Sequence, residues 1–156
     1  MNFKEKDVII SIRGAQSFDG MDDDVIELVT SGTLSRNDSG YHLSYQETEL
    51  TGLGGTTTTF HVEPNNKVTL IRLGEVNSQM VFEEQKKHIS AYETPYGAMT
   101  VGVAAHRVFT DLSEIGGTLE IDYALEIDHA IAGENCFRIQ VRTADHLPAT
   151  QQNLKS

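Results

Sequence analysis

Apolar and polar residues alternate in short runs along most of this chain, and the alternation is densest between residues 48 and 97. Four turn signals divide that stretch, at residues 52–55, 64–66, 74 and 85–87. A period of two places successive side chains on opposite faces of a strand, and Gly, Pro and Asn between such runs favour tight turns. The stretch is therefore predicted to be an antiparallel meander.

The same pattern continues on both sides of this stretch and predicts about ten strands. They are expected at residues 8–13, 25–34, 41–49, 56–62, 67–73, 79–83, 88–93, 99–110, 118–127 and 137–142. Residues 76–87 are rich in helix-forming side chains, but the short distance between their turn signals favours strands. All three prolines fall between the predicted strands, as their missing N–H requires.

Ten short antiparallel strands leave costly sheet edges unless the sheet closes or folds into a sandwich. Near-sequential hairpins favour closure, because a Greek-key sandwich needs at least one long connection. The predicted fold class is all-β, an antiparallel up-and-down β-barrel. At 156 residues the chain suits one domain, expected over residues 1–144 and followed by a flexible C-terminal tail at 145–156.

Charge and composition exclude several classes of partner. The formal net charge of −11 repels the phosphates of nucleic acids and of anionic membranes, so neither is an expected partner. No apolar run approaches the roughly 18–20 residues of a spanning helix, and the N-terminus shows no export signal. The single cysteine, Cys136, forms no internal disulfide and is predicted to be a half-buried strand residue, so a cytoplasmic protein is expected.

Motifs for catalysis, metal binding or a cofactor are not found in the sequence. The histidines are scattered, at positions 42, 61, 88, 106, 129 and 146, without a local metal-binding spacing. The glycine-rich residues 52–57 lack the ending of a phosphate-binding loop, no Gly-x-Ser-x-Gly elbow occurs, and the acidic residues 22–24 are typical of a solvated loop. The prediction is a non-enzymatic protein with no catalytic residue, metal or cofactor.

Several segments resemble one family. The run KVTLIRLGEVNSQMVFEEQKKHISAYETPYG at residues 67–97, together with DVIISIRGAQ, ELTGLGGTTTT and GGTLEIDYALEI, is similar to the YwiB-like β-barrels, a bacterial family of unknown function. The resemblance covers roughly residues 7–141. It implies a calycin-like barrel, related in shape to lipocalins and fatty-acid-binding proteins, in Firmicute-type bacteria, and it implies no activity. One departure is Gln85, where the family's FEEGKKH-like turn has a glycine.

A barrel of this kind either encloses a cavity for a small ligand or is filled by its own side chains. Arg72 shares a face with Val68 and Leu70, so it clamps a carboxylate if that face is internal and is solvent-exposed if it is not. The opposite face of that strand is equally apolar, and the alternative stays open. Tyr92, Tyr45, Glu47 and His88 complete the predicted ligand-binding set, while tyrosines that only plug the barrel end are the alternative.

Two functions from different classes follow. The first is a barrel that binds a small, partly apolar or anionic ligand in its lumen. The alternative is a structural or protein-interaction module with a side-chain-filled barrel, and the sequence does not decide whether the chain self-associates. An enzyme at the barrel mouth is a weaker third hypothesis, for which His88 would have to reach Glu47 or Glu93 at a cavity.

Overall fold

The computed structural model describes residues 2–17, 24–48 and 53–143, and these form ten strands. The strands are β1 (Phe3–Ser17), β2 (Asp24–Asn37), β3 (Gly40–Gln46), β4 (Thr56–Val62), β5 (Val68–Gly74), β6 (Asn77–Phe82), β7 (Lys87–Thr94), β8 (Gly97–Ser113), β9 (Gly116–Ile127) and β10 (Ala130–Thr143). Each strand pairs antiparallel with its sequence neighbours, and β10 returns to β1 to close the barrel. The up-and-down barrel predicted from the alternation is confirmed.

Several strands are longer than the sequence pattern predicts. β1 extends to Ser17, well beyond the predicted end at residue 13, and β10 begins at Ala130 where the pattern begins at 137. The extra residues include glycines and polar side chains that obscure the alternation, and a register shift near Gly133 interrupts β10. The predicted tail at 145–156, residues 22–23 of the predicted acidic loop and residues 49–52 lie outside the described residues.

The segment with helix-forming side chains is a hairpin of β6 and β7. The turn between them is tight, because the Lys86 N–H donates to the Glu83 carbonyl oxygen at 3.1 Å. Gln85 has a φ of 64°, a conformation in which glycine has no steric penalty. The turn geometry at this position therefore suits the glycine that the family resemblance leads one to expect.

In the described chain no helix has the length and apolarity needed to span a bilayer.

The core lies inside the barrel and is built from alternate residues of every long strand. Fully buried members include Ile10, Leu34, Leu43, Phe60, Leu70 and Phe82. Aromatic rings pack against one another inside the barrel: the centroids of Phe82 and Tyr123 are 4.9 Å apart, and those of Phe60 and Phe137 are 6.0 Å apart. Edge-to-face contacts of this kind pack the interior tightly.

The strand pairing is interrupted at two places in the described chain. The β2–β3 ladder stops at Thr33 and Ser44, so residues 24–32 of β2 have no ladder partner on that side within the described chain. β6 and β7 share two register pairs among the described residues, Asn77 with Glu93 and Ser78 with Tyr92. Beyond these pairs, the Ser90 hydroxyl donates to the Gln79 carbonyl oxygen across the gap.

Candidate ligand-binding site

A cavity of about 210 Å³ opens at the barrel end where β1 finishes and β2 begins. Its wall contains Ile12 and Gly14 of β1, Ile26 and Leu28 of β2, and Phe137 of β10. Ile26 is on the inner face of β2, beyond the last described pair of the β2–β3 ladder, and it is 51% exposed. The cavity is therefore open to solvent beside the end of the β2–β3 ladder.

A row of polar side chains crosses the inner wall on five neighbouring strands. The register aligns Tyr45, Thr58, Arg72, Ser78 and Tyr92, which we call the polar row. Such a row is costly inside a barrel, because each polar group leaves water and needs a partner. Two of its members, Tyr45 and Arg72, line the cavity.

Arg72 is the central cation of this site. Its Nε atom is buried and has no hydrogen-bond partner among the described residues. No carboxylate of the described chain forms an ion pair with it. A guanidinium presents donors in a fork that matches a carboxylate or phosphate. Arg72 therefore presents a buried donor that no group of the described protein uses.

Acidic and phenolic groups surround Arg72. Glu47 directly follows β3, is 7% exposed and accepts a hydrogen bond of 2.5 Å from the Thr58 hydroxyl. Burial raises the pKa of Tyr45, the negative charge of Glu47 raises it further, and Arg72 opposes both effects. Burial likewise raises the pKa of Tyr123 to about 12. Both phenols are neutral at ordinary pH and keep a proton to donate.

Unpartnered polar atoms concentrate at this end of the barrel. Besides Arg72 Nε, the buried Ser78 Oγ and Asn135 Nδ2 make no hydrogen bond within the described structure. Asn135 also lines the cavity, as does the apolar Leu53. The site therefore combines unsatisfied donors at its polar wall with aliphatic side chains around its opening.

The structure brings together three of the five residues predicted to bind a ligand. Arg72, Tyr45 and Glu47 line one cavity, and the face of β5 that carries Arg72 is internal. Tyr92 belongs to the polar row and packs against the core, but it is not in the cavity wall. His88 lies at the β6–β7 gap, where its Nε2 is 3.1 Å from Glu83 Oε1. Contact of any of the five with a ligand remains a prediction.

Sequence reasoning missed Tyr123 and Asn135. Tyr123 lies on the apolar face of the clearest predicted strand, so the sequence pattern predicts that it points inward. Nothing in the sequence predicts that β9 lies close to Arg72. Asn135 falls in the part of β10 that the pattern did not predict. Within the described chain no three His, Cys, Asp or Glu side chains gather around a common point for a metal ion.

These features define a class: a closed, calycin-like, up-and-down antiparallel barrel with a polar cavity open at one end. Residues 10–139 match the model of a family described as "Domain of unknown function (DUF1934)", and the chain belongs to that family. The crystal structure of the ywiB protein from Bacillus subtilis is similar in fold, with a TM-score of 0.76 and 21% identity over 92% of this chain and 95% of that one. No curated protein matches the chain.

Proposed function

We propose that this protein binds a small, partly apolar anion in its barrel, without catalysing a reaction, and that Arg72 receives the negatively charged group. The observation that carries the proposal is the buried Arg72 Nε, which has no partner in the described chain and belongs to a residue of the cavity wall. The single cysteine favours a cytoplasmic setting.

The energetics support an anion at this position. A buried donor without a partner costs about 1–3 kcal/mol, and more when it is charged. A carboxylate placed against Arg72 removes that cost and gains hydrogen bonds worth about 1.5–3 kcal/mol each. The neutral phenols of Tyr45 and Tyr123 can donate to the same anion, while Ile26 and Leu28 contact an apolar remainder.

The test begins with the protein purified under native conditions, extracted and analysed by mass spectrometry for a stoichiometric small molecule. Octanoate and 1-octanol are then titrated calorimetrically into a second portion of the natively purified protein. The two molecules differ mainly in the charged head group. Octanoate is expected to bind, and Arg72→Met is expected to weaken it by at least tenfold, about 1.4 kcal/mol, while changing octanol little.

Two further variants act as controls. Arg142→Met removes an exposed arginine of β10 and is expected to leave both titrations unchanged. Gly14→Ala adds a methyl group to the cavity wall and is expected to weaken octanoate and octanol together. Wild-type affinity for octanoate in Arg72→Met, or no octanoate binding by the wild-type protein, would contradict the proposal.

A second candidate function, a protein-interaction module, is favoured by one specific observation. Residues 24–32 of β2 have no ladder partner on the side away from β1 in the described chain, and Val25 and Val29 of this strand are exposed. Exposed apolar side chains grouped along one strand favour contact with a partner. Light scattering after size-exclusion chromatography tests whether the protein self-associates through this strand. A wild-type dimer that Val29→Lys converts to a monomer supports self-association, and a monomeric wild-type protein contradicts it.

A further inference from the structure

Two histidines that are distant in sequence form a pair on the outer face of the barrel. His42 of β3 and His61 of β4 are direct cross-strand partners. Their rings are nearly parallel, with centroids 4.5 Å apart and an interplanar angle of 6°. The spacing of the histidines along the chain does not reveal this pair, because only the β3–β4 register brings the two rings together.

Both rings direct the same nitrogen at the turn between β2 and β3. His61 Nε2 is 3.1 Å from the Ser39 carbonyl oxygen. His42 Nε2 is 3.4 Å from the Ser39 hydroxyl oxygen and 3.4 Å from Asn37 Oδ1. Two imidazole nitrogens thus lie beside an amide oxygen, a carbonyl oxygen and a hydroxyl group, all of which can contribute to a metal's coordination shell.

We propose that His42 and His61 bind a late first-row divalent transition-metal ion, Zn²⁺, Ni²⁺ or Cu²⁺, through their Nε2 atoms, with Asn37 Oδ1 and water completing the shell. Imidazole is a preferred ligand of these ions, whereas Mg²⁺ prefers an oxygen shell. The site is separate from the Arg72 cavity, because it lies on the outer face at the opposite end of the barrel.

The local electrostatics are compatible with this assignment. The net charge of −11 attracts cations over the whole surface. Binding requires the two rings to tilt from their parallel arrangement, and rotation about χ2 of histidine has a broad, soft potential.

The affinity is expected to be moderate. In the described chain no third His, Cys, Asp or Glu joins the pair closely enough to make a three-residue site. The ion must also displace the contact between His61 Nε2 and Ser39. Two protein nitrogens and one amide oxygen leave coordination positions to water, so a chelator is expected to remove the metal readily.

The experiment uses the full chain without an affinity tag, freed of metal by dialysis against a chelator. Zn²⁺ is titrated calorimetrically into the wild-type protein, His42→Gln, His61→Gln and the control His106→Gln, whose histidine contacts Glu134 elsewhere on the surface. One Zn²⁺ per chain is expected, weakened at least tenfold by either pair variant and unchanged by the control. Millimolar Mg²⁺ is not expected to compete.

A second readout does not depend on the variants folding. Ring-nitrogen NMR of the wild-type protein is expected to show the Nε2 signals of His42 and His61 shifting together as Zn²⁺ is added, with the other histidines shifting less. Absence of stoichiometric Zn²⁺ binding would overturn the proposal. Binding that both pair variants retain, or shifts confined to other histidines, would overturn it equally.

Discussion

Gly32 determines how closely β2 and β3 approach at the point where their ladder ends. A Cβ at this position would lie 2.4 Å from the Ser44 carbonyl oxygen, 2.6 Å from Ile10 Cδ1 and 3.2 Å from Tyr45 Cβ. Real Cβ atoms do not approach backbone oxygen at the first of these distances, and Ile10 is fully buried in the core. In Gly32→Ala the strands must therefore separate or the core must shift.

The expected cost follows from overpacking of a filled interior. Inserting a methyl group where no space exists costs about 1–3 kcal/mol, and we place Gly32→Ala at the upper end because backbone must move. For a domain of this size the melting temperature should fall by about 6–12 °C. Displacement of Tyr45 should also weaken octanoate binding, since its ring lines the cavity.

Gly14→Ala is the matched control. Gly14 is on the inner face of the neighbouring strand β1, yet the nearest atoms to its added Cβ, on Cys136 and Phe137, are 3.9 Å away. The methyl group enters the cavity at ordinary contact distance, and restricting the unfolded chain should stabilise the protein by about 0.4–1 kcal/mol. The two substitutions are chemically identical and differ only in their surroundings.

Urea unfolding followed by circular dichroism measures both free energies of unfolding. We expect the free energies of unfolding of the two variants to differ by about 3–4 kcal/mol at similar m-values. A difference below about 0.5 kcal/mol, within ordinary surface-substitution effects, would show that β2 and β3 do not approach at Gly32 as described, and the account of the cavity opening would fall with it.

Three further predictions concern charged and phenolic groups. Arg72→Met should raise the free energy of unfolding of the ligand-free protein by about 1 kcal/mol in urea, because it removes a buried donor without a partner in the described chain. The control Arg138→Met breaks a half-exposed ion pair and should lower the free energy of unfolding by about 0.2–1 kcal/mol. Destabilisation by Arg72→Met would refute the first expectation. The pKa values of Tyr45 and Tyr123 are raised in the folded protein, so as the pH rises these phenols ionise in the unfolded chain first, and the stability should decline from about pH 10 to about pH 12. An absorbance titration of the folded protein should show two phenols that ionise at higher pH than an ordinary tyrosine. Ionisation of every phenol near its ordinary pKa would contradict this. Hydrogen bonds from Lys86 and His88 lower the pKa of Glu83, so the stability that Glu83 contributes is present above its ordinary pKa and is lost as the pH falls through the lower folded value. Glu83→Gln should therefore make the melting temperature depend less on pH in that acid range. A dependence equal to that of the wild-type protein would contradict this.

The architecture was predictable because a period of two requires little tertiary information. The turns at residues 64–66 and 85–87 and the alternation between them determine hairpins whatever the strands pack against. Strand ends were less predictable. At Gln16 and Asn135, polar side chains occupy the inner parity beside an open cavity, so the alternation that marks a strand disappears where the site begins.

The orientation of Arg72 could not be predicted from β5 alone. Both faces of that strand are apolar, and Leu73 on the outer face remains exposed. Its neighbours decide the matter: the register places Leu70 between Phe60 and Met80, both inward, and Arg72 follows with the same parity. A long-range pairing therefore settles a choice that local hydrophobicity leaves balanced.

The distribution of unpartnered polar groups argues for a binding site in this barrel. Of the four buried side-chain atoms without partners in the described chain, those of Arg72, Ser78 and Asn135 lie at the polar row or in the cavity wall, while Thr143 lies elsewhere. Each such atom costs about 1–3 kcal/mol. The aromatic rings of the same core, Phe82 and Tyr123 among them, pack against one another and leave no such atom in the described residues. In a barrel that served only as a scaffold, burying these unpartnered atoms beside an opening would lower stability without any gain. A ligand that supplies the missing acceptors regains that free energy when it binds.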